Sequence, residues 1–440
     1  MDPRLSRREA GRRIVLTSAA GLALPGLAAS AWGAVAQPAR PGAPGTTPNA
    51  PPSAPPPPSK PSVLDKLLRK GRDRDWTLEC HVHVDAYQQV REEQAPVLTQ
   101  IRFAKAVLVF PAILGCASSE TLTEHWTGEV RFDDLPATDA PVFSENFPCG
   151  TRLARWELRD RVGREVDISV RIPMRCWETI FDERAAGTVK WPGAWGTVSA
   201  SALRPDSLSD SASPVIRELV KSWSEGKDPK TLPPVRLAKY LAGRVLEHVQ
   251  PSGSALRFDR HQQLVGLELL PASITAQRPE GRPPAPHDVV SFLVAVYRAA
   301  GLPARTVIGY DIRESKGEDA GFLGRNRSTR IPNLKAWAEF ALYDETAQKE
   351  LWVPVDILRL RSQSSKAPRL EAAWKFFGTH DELDDVMPFA FHYHPPTTVF
   401  AYRFPAFWGW LPTPELPAAE QSIRFSSTST PMQGGKPARR

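Results

Sequence analysis

Cysteine is scarce in this 440-residue sequence, and none occurs after residue 176. The four cysteines are Cys80, Cys116, Cys149 and Cys176. In an oxidising compartment an even number can form two disulfides with three alternative pairings, whereas a protein that folds before export can keep buried free thiols. The sequence leaves their oxidation state open, but it excludes a cysteine nucleophile from the rest of the chain.

Concentrated charge of one sign is also absent. The formal net charge is +7, and the first 36 residues hold five arginines against Asp2 and Glu9, which is +3. The remaining +4 is spread over about four hundred residues and argues against nucleic acid as a partner. With 41% hydrophobic and 24% charged residues, the composition is that of a globular protein.

One long apolar run lies near the N-terminus. Basic residues that include Arg7 and Arg8 precede the apolar residues 14–36, which end in the small-x-small sequence Ala-Val-Ala. This order predicts a twin-arginine-like signal peptide over residues 1–36, and therefore a periplasmic or otherwise exported protein. The alternative is an uncleaved anchor, because the run is long enough to span a bilayer. Membrane contact would then be limited to this segment.

A proline-rich segment of low complexity, residues 37–63, follows. Such a segment favours extended polyproline II conformations and has little to bury, so we expect a linker. Residues 64–204 then contain short alternating segments such as "WTLECHVHVD" and "EVDISVRIPM". They predict an antiparallel β-sandwich-like domain.

The pattern changes to helical periodicity near residue 205. Residues 287–300 are apolar nearly all round and stop before Gly301 and a proline, which predicts a helix buried in a core. Strand-like segments "ARTVIGYDI", "KAWAEF" and "LWVPVDI" follow it. A buried central helix against an antiparallel sheet is an α+β arrangement. After an aromatic extension that ends at residue 416, we expect residues 417–440 to be a loose polar tail.

Three motifs in this order resemble the transglutaminase-like superfamily, which is related to papain in fold. They are "DVVSFLVAVYRAAGLPARTVIGYD", then "KAWAEF", then "WVPVDI". The resemblance covers roughly residues 205–365. It implies a papain/transglutaminase-like core within residues 205–416, placed after the β domain.

The resemblance also implies the positions of a catalytic triad. The family's cysteine, at the start of the central helix, falls on Pro286, and its histidine falls on Lys335. The acid is retained as Asp356. A thiol nucleophile needs an adjacent base, and the base needs an orienting carboxylate. With two of three members replaced, we expect Lys335 and Asp356 to form an ion pair without cysteine chemistry.

Other residues of these motifs are ambiguous from sequence. His287, Tyr310, Trp337 and Glu339 correspond to residues that line the cleft or pack the core in such proteins. The pair Cys176-Trp177 mimics the Cys-Trp pair of papain-like enzymes, but it precedes the helices and is better explained as a core or disulfide cysteine.

Two histidine pairs offer a weak metal motif. His81 and His83 are two residues apart and share one face of a predicted strand, and Asp85 could join them. His392 and His394 form a second pair of the same spacing. Neither pair has the companion cluster that a zinc site usually shows. We therefore expect no metal and no cofactor.

The sequence therefore favours an exported, catalytically inactive pseudoenzyme that binds a peptide, cell-wall or protein partner. The alternative is a hydrolase or transferase of the transglutaminase-like or cysteine-protease type with rewired catalytic residues. Turnover of a panel of amines or peptides by the purified protein distinguishes the two hypotheses.

Overall fold

A computed structural model describes residues 61–88, 97–98, 101–133, 135–136, 141–143, 150–254, 256–258, 264–267, 269–312, 321–324, 334–391, 409–413 and 419–429. The expected signal peptide and most of the expected linker lie outside these residues, as do Cys149, His392 and His394. The described residues all fall within one unit, residues 59–440.

Ten strands occupy the first part of the described chain. They are β1 (Leu68–Gln88), β2 (Val97–Leu98), β3 (Ile101–Ile113), β4 (Gly115–Cys116), β5 (Ser119–Thr121), β6 (Thr127–Phe132), β7 (Leu135–Pro136), β8 (Val142–Phe143), β9 (Thr151–Gly163) and β10 (Glu165–Phe181).

These strands form two antiparallel sheets that share a core. β1 pairs with β10 from Leu68 opposite Phe181 to Asp85 opposite Glu165, and β3 pairs with β9 in the second sheet. Side chains on a strand alternate between its two faces, so one face of each sheet is apolar. The inward residues include Leu78, Cys80, Val82, Leu108, Phe110, Trp156, Leu158, Ile168 and Val170. The predicted β-sandwich-like arrangement is confirmed.

The described residues after β10 contain seven α-helices and a short hairpin. The helices are α1 (Glu183–Ala186), α2 (Thr197–Ser201), α3 (Pro214–Trp223), α4 (Pro234–His248), α5 (Ala272–Gln277), α6 (Pro286–Ala299) and α7 (Ile357–Gln363). The hairpin consists of β11 (Leu256–Phe258) and β12 (Leu264–Leu267). Among the described helices, none combines the length and apolarity required to cross a membrane.

Helix α6 is the predicted central helix, displaced by one residue from the expected range 287–300. Pro286 occupies its first position, where a missing N–H costs nothing, and the Asp288 carboxylate accepts the N–H of Ala285 at 2.8 Å. The helix ends at Ala299, and Gly301 follows the Ala300 cap with a φ of +82°, which suits a residue without Cβ. Local sequence signals therefore fix both ends of α6.

A four-stranded antiparallel sheet packs against α6. Its order is β16 (Lys349–Val355), β15 (Leu334–Asp344), β13 (Ala304–Asp311) and β17 (Val386–Ala390), while β14 (Gly321–Gly324) joins the sheet of β1. Every residue of β13 is buried. Apolar residues of α6 and of one face of β15 belong to the same core. The predicted α+β core, a buried helix against an antiparallel sheet, is confirmed.

The C-terminal residues return to the first sheets, which corrects one expectation. We expected residues 417–440 to be loose, but Ala419–Ser429 form strand β19, paired with β1 and β14. Strand β18 (Gly409–Thr413) pairs with β3. Phe425 explains the ordering of β19, because its buried ring stacks on Tyr310 at 5.7 Å and Phe389 at 5.3 Å. Strands on both sides of the boundary expected near residue 205 therefore belong to the same sheets.

The burial of α6 predicts the effect of a charge at its centre. Residues Val289–Tyr297 are at most 5% exposed, and Val294 is fully buried. We expect Val294→Asp to lower the free energy of unfolding by more than about 4 kcal/mol, because an unpaired carboxylate would enter an apolar core. Arg217→Asp, at an exposed position of α3, is the control. Thermal unfolding followed by circular dichroism distinguishes them, and a cooperative melt of Val294→Asp near the wild-type temperature would contradict this placement.

Candidate functional site

The three positions implied by the triad lie together at the N-terminal end of α6. Pro286 begins α6, Lys335 lies at the start of β15, and Asp356 follows β16 directly. They line a cavity of about 300 Å³. Its other lining residues are His287, Asp311, Leu334, Ala336, Leu358, Arg359 and Ser362. The fold therefore brings together three residues that belong to separate sequence motifs.

The expected ion pair between Lys335 and Asp356 is present. Lys335 Nζ lies 2.8 Å from Asp356 Oδ2, and the two side chains are 10% and 1% exposed. The other carboxylate oxygen accepts the Arg359 N–H at 3.0 Å, so that Asp356 also caps α7. Burial opposes ionisation of Asp356, but Lys335 and His380 together hold its pKa well below the ordinary value.

His380 is the functional residue that the sequence reasoning missed. Its Nε2 lies 3.1 Å from Asp356 Oδ2, and its Nδ1 accepts the backbone N–H of Glu382 at 3.2 Å. A nitrogen that accepts an N–H carries no hydrogen, so the neutral ring has its hydrogen on Nε2 and donates it to Asp356. Burial and the Lys335 charge lower the pKa of His380 despite the opposing carboxylate, in agreement with a neutral ring.

Within the group of Lys335, Asp356 and His380, neither nitrogen-bearing side chain offers a lone pair to a thiol. The Lys335 ammonium has no lone pair, and both ring nitrogens of His380 are engaged. Lys335 Nζ is 3.4 Å from His380 Nε2, but both atoms carry hydrogen, so the contact is not a hydrogen bond. In this group Lys335 and His380 both donate to the Asp356 carboxylate.

The described cysteines are free thiols outside the cavity. Cys80 and Cys176 are fully buried, and burial raises the pKa of both. Cys116 is partly exposed, and burial of its thiol together with the Glu339 carboxylate raises its pKa to about 11. Reactive cysteines need the opposite change. Cys176, the alternative nucleophile considered from sequence, packs in the apolar core of the sandwich.

The structure separates the four cleft-lining candidates. His287 lines the cavity, and burial of its ring lowers its pKa to about 4. Tyr310 packs in the core of the sandwich beside Phe425, and Trp337 is fully buried. Glu339 is also fully buried and lies outside the cavity lining.

Strand alternation explains why Trp337 and Glu339 are buried. Ala336 and Ala338 face α6, so Trp337 and Glu339 face the other side of β15, toward the β domain. There Glu339 pairs with Arg305 at 2.8 Å and accepts the Ala117 N–H at 2.9 Å. These residues join the β domain to the core.

The first histidine pair lies on β1, away from the residues of the cavity lining. His83 Nδ1 is 2.7 Å from Asp167 Oδ1, and with Glu165 the potential ligand atoms lie within 4.8 Å of one another. All three residues are partly exposed. The ion pair with Asp167 accounts for the position of His83. The side chain of Asp85 and the second histidine pair lie outside the described residues.

Comparisons with known proteins place the core in a family. Residues 275–357 match the sequence model of the transglutaminase-like superfamily, a range that contains Pro286, Lys335 and Asp356. No curated protein sequence matches this chain significantly.

Two solved structures match this chain at low sequence identity. A candidate cysteine protease from Cytophaga hutchinsonii is 11% identical and covers 84% of this chain and 95% of its own, with a TM-score of 0.44. A candidate protease from Parabacteroides distasonis is 9% identical and covers 56% of this chain and 43% of its own, with a TM-score of 0.17. Similarity at this level says nothing about activity.

The lowered pKa of Asp356 predicts a specific pH dependence of stability. Its carboxylate stabilises the fold above the unfolded-state pKa of about 3.9, and this contribution is lost as the pH falls below that value toward the folded-state pKa. We expect Asp356→Asn to cost about 3 to 5 kcal/mol at pH 7, because Lys335 loses its buried counterion.

Chemical denaturation across pH 2.5 to 7 tests this expectation, with the range chosen around the ordinary carboxylate pKa of about 3.9. The difference between wild type and Asp356→Asn should be constant above about pH 5 and shrink below about pH 4. Glu371→Gln is the control, since Glu371 forms an exposed pair with Arg236. A difference that does not change with pH would mean that the pKa of Asp356 in the folded protein is not lowered from its unfolded-state value.

Proposed function

Because residues 275–357 match the sequence model of the transglutaminase-like superfamily, we propose that this protein is an exported pseudoenzyme whose cavity binds a peptide, cell-wall or protein partner. The observation that carries the proposal is the 2.8 Å ion pair between Lys335 and Asp356. It places a protonated amine where a cysteine enzyme needs an imidazole base. Export is proposed from the N-terminal sequence alone.

The residues at three positions support the proposed loss of cysteine chemistry. Pro286 supplies no nucleophile at the start of α6, and no cysteine follows residue 176 in the sequence. Lys335 is held as an ammonium by Asp356, and His380 uses both ring nitrogens in fixed hydrogen bonds. Removing the nucleophile and the base of such a unit leaves binding as its remaining property.

Ligand binding is supported by the hydrogen-bond capacity of Lys335. Its ammonium has three N–H groups, and Asp356 is its one acceptor among the described residues. The remaining N–H groups belong to a largely buried side chain that lines the cavity. A buried donor is costly unless an acceptor meets it, and the carbonyl oxygens of peptides and acetylated glycans are suitable acceptors. A cavity of about 300 Å³ holds one side-chain-sized group of such a ligand.

A second candidate function is favoured by one observation, the contact between His380 and Asp356. An imidazole paired with a buried carboxylate is an element of many hydrolytic sites, and this pair lies beside the cavity. A rewired hydrolase or transferase would need His380 to release its bond to Glu382 and to act with a nucleophile other than cysteine. Its activity would be lost in His380→Gln and would survive alkylation of every thiol.

A binding measurement tests the ligand site. We expect wild-type protein to bind sonicated peptidoglycan or members of a short-peptide array. Lys335→Met removes the ammonium donor, so we expect it to lose at least about tenfold in affinity, which is about 1.4 kcal/mol. Lys227→Met, at an exposed position with no part in the cavity, is the matched control. The proposal would be contradicted if wild type bound neither probe. It would also be contradicted if Lys335→Met bound a probe as tightly as Lys227→Met.

A restored triad tests the geometry of the pseudoenzyme site. In protein with Cys116→Ala and Cys149→Ala, Pro286→Cys with Lys335→His should place a thiol at the helix start beside an imidazole oriented by Asp356. The helix terminus and the imidazole should lower the thiol pKa and speed alkylation by iodoacetamide at neutral pH about tenfold or more over a free cysteine.

The variant with Pro286→Cys and the native Lys335 is the control for that experiment. Its thiol has the same helix terminus but no base, so it should react more slowly. Cys80 and Cys176 stay in place because their burial shields them. Slow alkylation of the folded double variant would show that the imidazole and the thiol do not meet. Cysteine-dependent turnover by the wild-type protein would overturn the pseudoenzyme proposal itself.

A further inference from the structure

His380 belongs to a segment, residues 378–385, that lies between the cavity and the β domain. At one end Asp356 accepts the hydrogen of His380 Nε2. At the other end the segment contacts strands β10 and β1. The position of His380 is therefore determined from two sides, and the β-domain side involves residues far from the cavity in sequence.

Strand β10 fixes the backbone of this segment. Thr179 and His380 exchange two backbone hydrogen bonds, of 3.0 and 2.9 Å, and the Thr179 hydroxyl donates to the Gly378 carbonyl at 2.7 Å. Gly378 has a φ of +72°, and a Cβ there would lie 2.2 Å from the Phe181 ring. The segment thus approaches β10 as closely as a strand neighbour.

Strand β1 fixes the far end of the segment by charge. Arg72 Nε lies 2.7 Å from Asp384 Oδ2, and Arg74 reaches both Asp384, at 3.1 Å, and Asp385, at 2.6 Å. Trp76 Nε1 donates to the Asp384 carbonyl at 2.7 Å. The Asp384 side chain is fully buried, so its charge depends on these guanidinium groups for compensation.

The two ends are connected through Glu382. The Glu382 backbone N–H donates to His380 Nδ1. Asp384, whose carboxylate pairs with Arg72 and Arg74, lies two residues further along the chain. A shift of residues 383–385 would move this N–H away from the ring. Nδ1 would then be free to take the hydrogen, and Nε2 would no longer be fixed as the donor to Asp356.

We propose that Arg72 and Arg74 are positioning residues for the site formed by Lys335, Asp356 and His380. By holding Asp384 and Asp385, they set the tautomer of His380 and, through Asp356, the orientation of the Lys335 ammonium. The inference rests on the proposed function only in that the oriented ammonium is the donor for the ligand. The β domain is in this way a structural requirement of the cavity.

The tautomer of His380 is the direct readout. In protein with ¹⁵N-labelled histidine, the ring signals of His380, identified by their loss in His380→Gln, should report a neutral ring with hydrogen on Nε2 at pH 7. In Arg72→Gln with Arg74→Gln we expect a mixture of tautomers or a partly protonated ring. Arg72→Lys with Arg74→Lys keeps the charges and should restore much of the wild-type spectrum.

Arg175→Gln is the matched control for the ring spectrum. Arg175 lies on β10 and pairs with Asp73 and Asp75, away from Asp384 and Asp385. It should leave the His380 signals unchanged. Should the double glutamine variant fail to fold because Asp384 is left unpaired, the variant that also carries Asp384→Asn and Asp385→Asn removes the charges together, and the same loss of a single tautomer is expected.

Ligand affinity is the second readout. For a peptide or peptidoglycan probe that wild type binds, the double glutamine variant should lose about tenfold in affinity, or about 1.4 kcal/mol, while Arg175→Gln should not. If wild type binds neither probe, the proposed function fails while the ring spectrum still decides the positioning role. A His380 spectrum unchanged in every folded variant of Arg72 and Arg74 would overturn the inference.

Discussion

The buried carboxylate of Asp356 holds three separated parts of the chain at one point. It follows β16, caps α7 through the Arg359 N–H, and accepts from Lys335 of β15 and from His380 beyond α7. A buried charge persists only when donors compensate it, and each of these donors would in turn lose its partner if Asp356 were protonated. The contacts of Asp356 therefore connect β15, α7 and the His380 segment beside the cavity.

The same carboxylate accounts for both the retained architecture and the proposed loss of chemistry. In a cysteine enzyme the acid orients an imidazole, which must have a lone pair available for the thiol proton. Lys335 satisfies the charge of Asp356 as well as an imidazolium would, but it is a donor only. Replacement of the base by lysine can therefore preserve the local packing of β15 and β16 while it removes proton transfer.

The β domain and the core depend on each other through several buried polar contacts. Glu339 of β15 pairs with Arg305 and accepts the N–H of Ala117 between β4 and β5. Strand β19 pairs with β1, although the two strands are far apart in the sequence. The β domain and the core are therefore joined by a buried hydrogen bond as well as by shared sheets.

Sequence alone determined the features that depend on neighbouring residues: the extent of α6 to within one residue and the order of the strands after it. The pairing of Lys335 with Asp356 was expected from the resemblance to the transglutaminase-like superfamily. Helical periodicity, a proline start and a glycine stop are local signals. The tertiary structure decided the rest. His380 has no motif around it and reaches Asp356 only because β1 and β10 hold its segment. Glu339 and Trp337 are buried because alternation along β15 turns them toward the β domain. Strand β19 forms because β1 offers an edge, and no local pattern encodes a partner so distant along the chain.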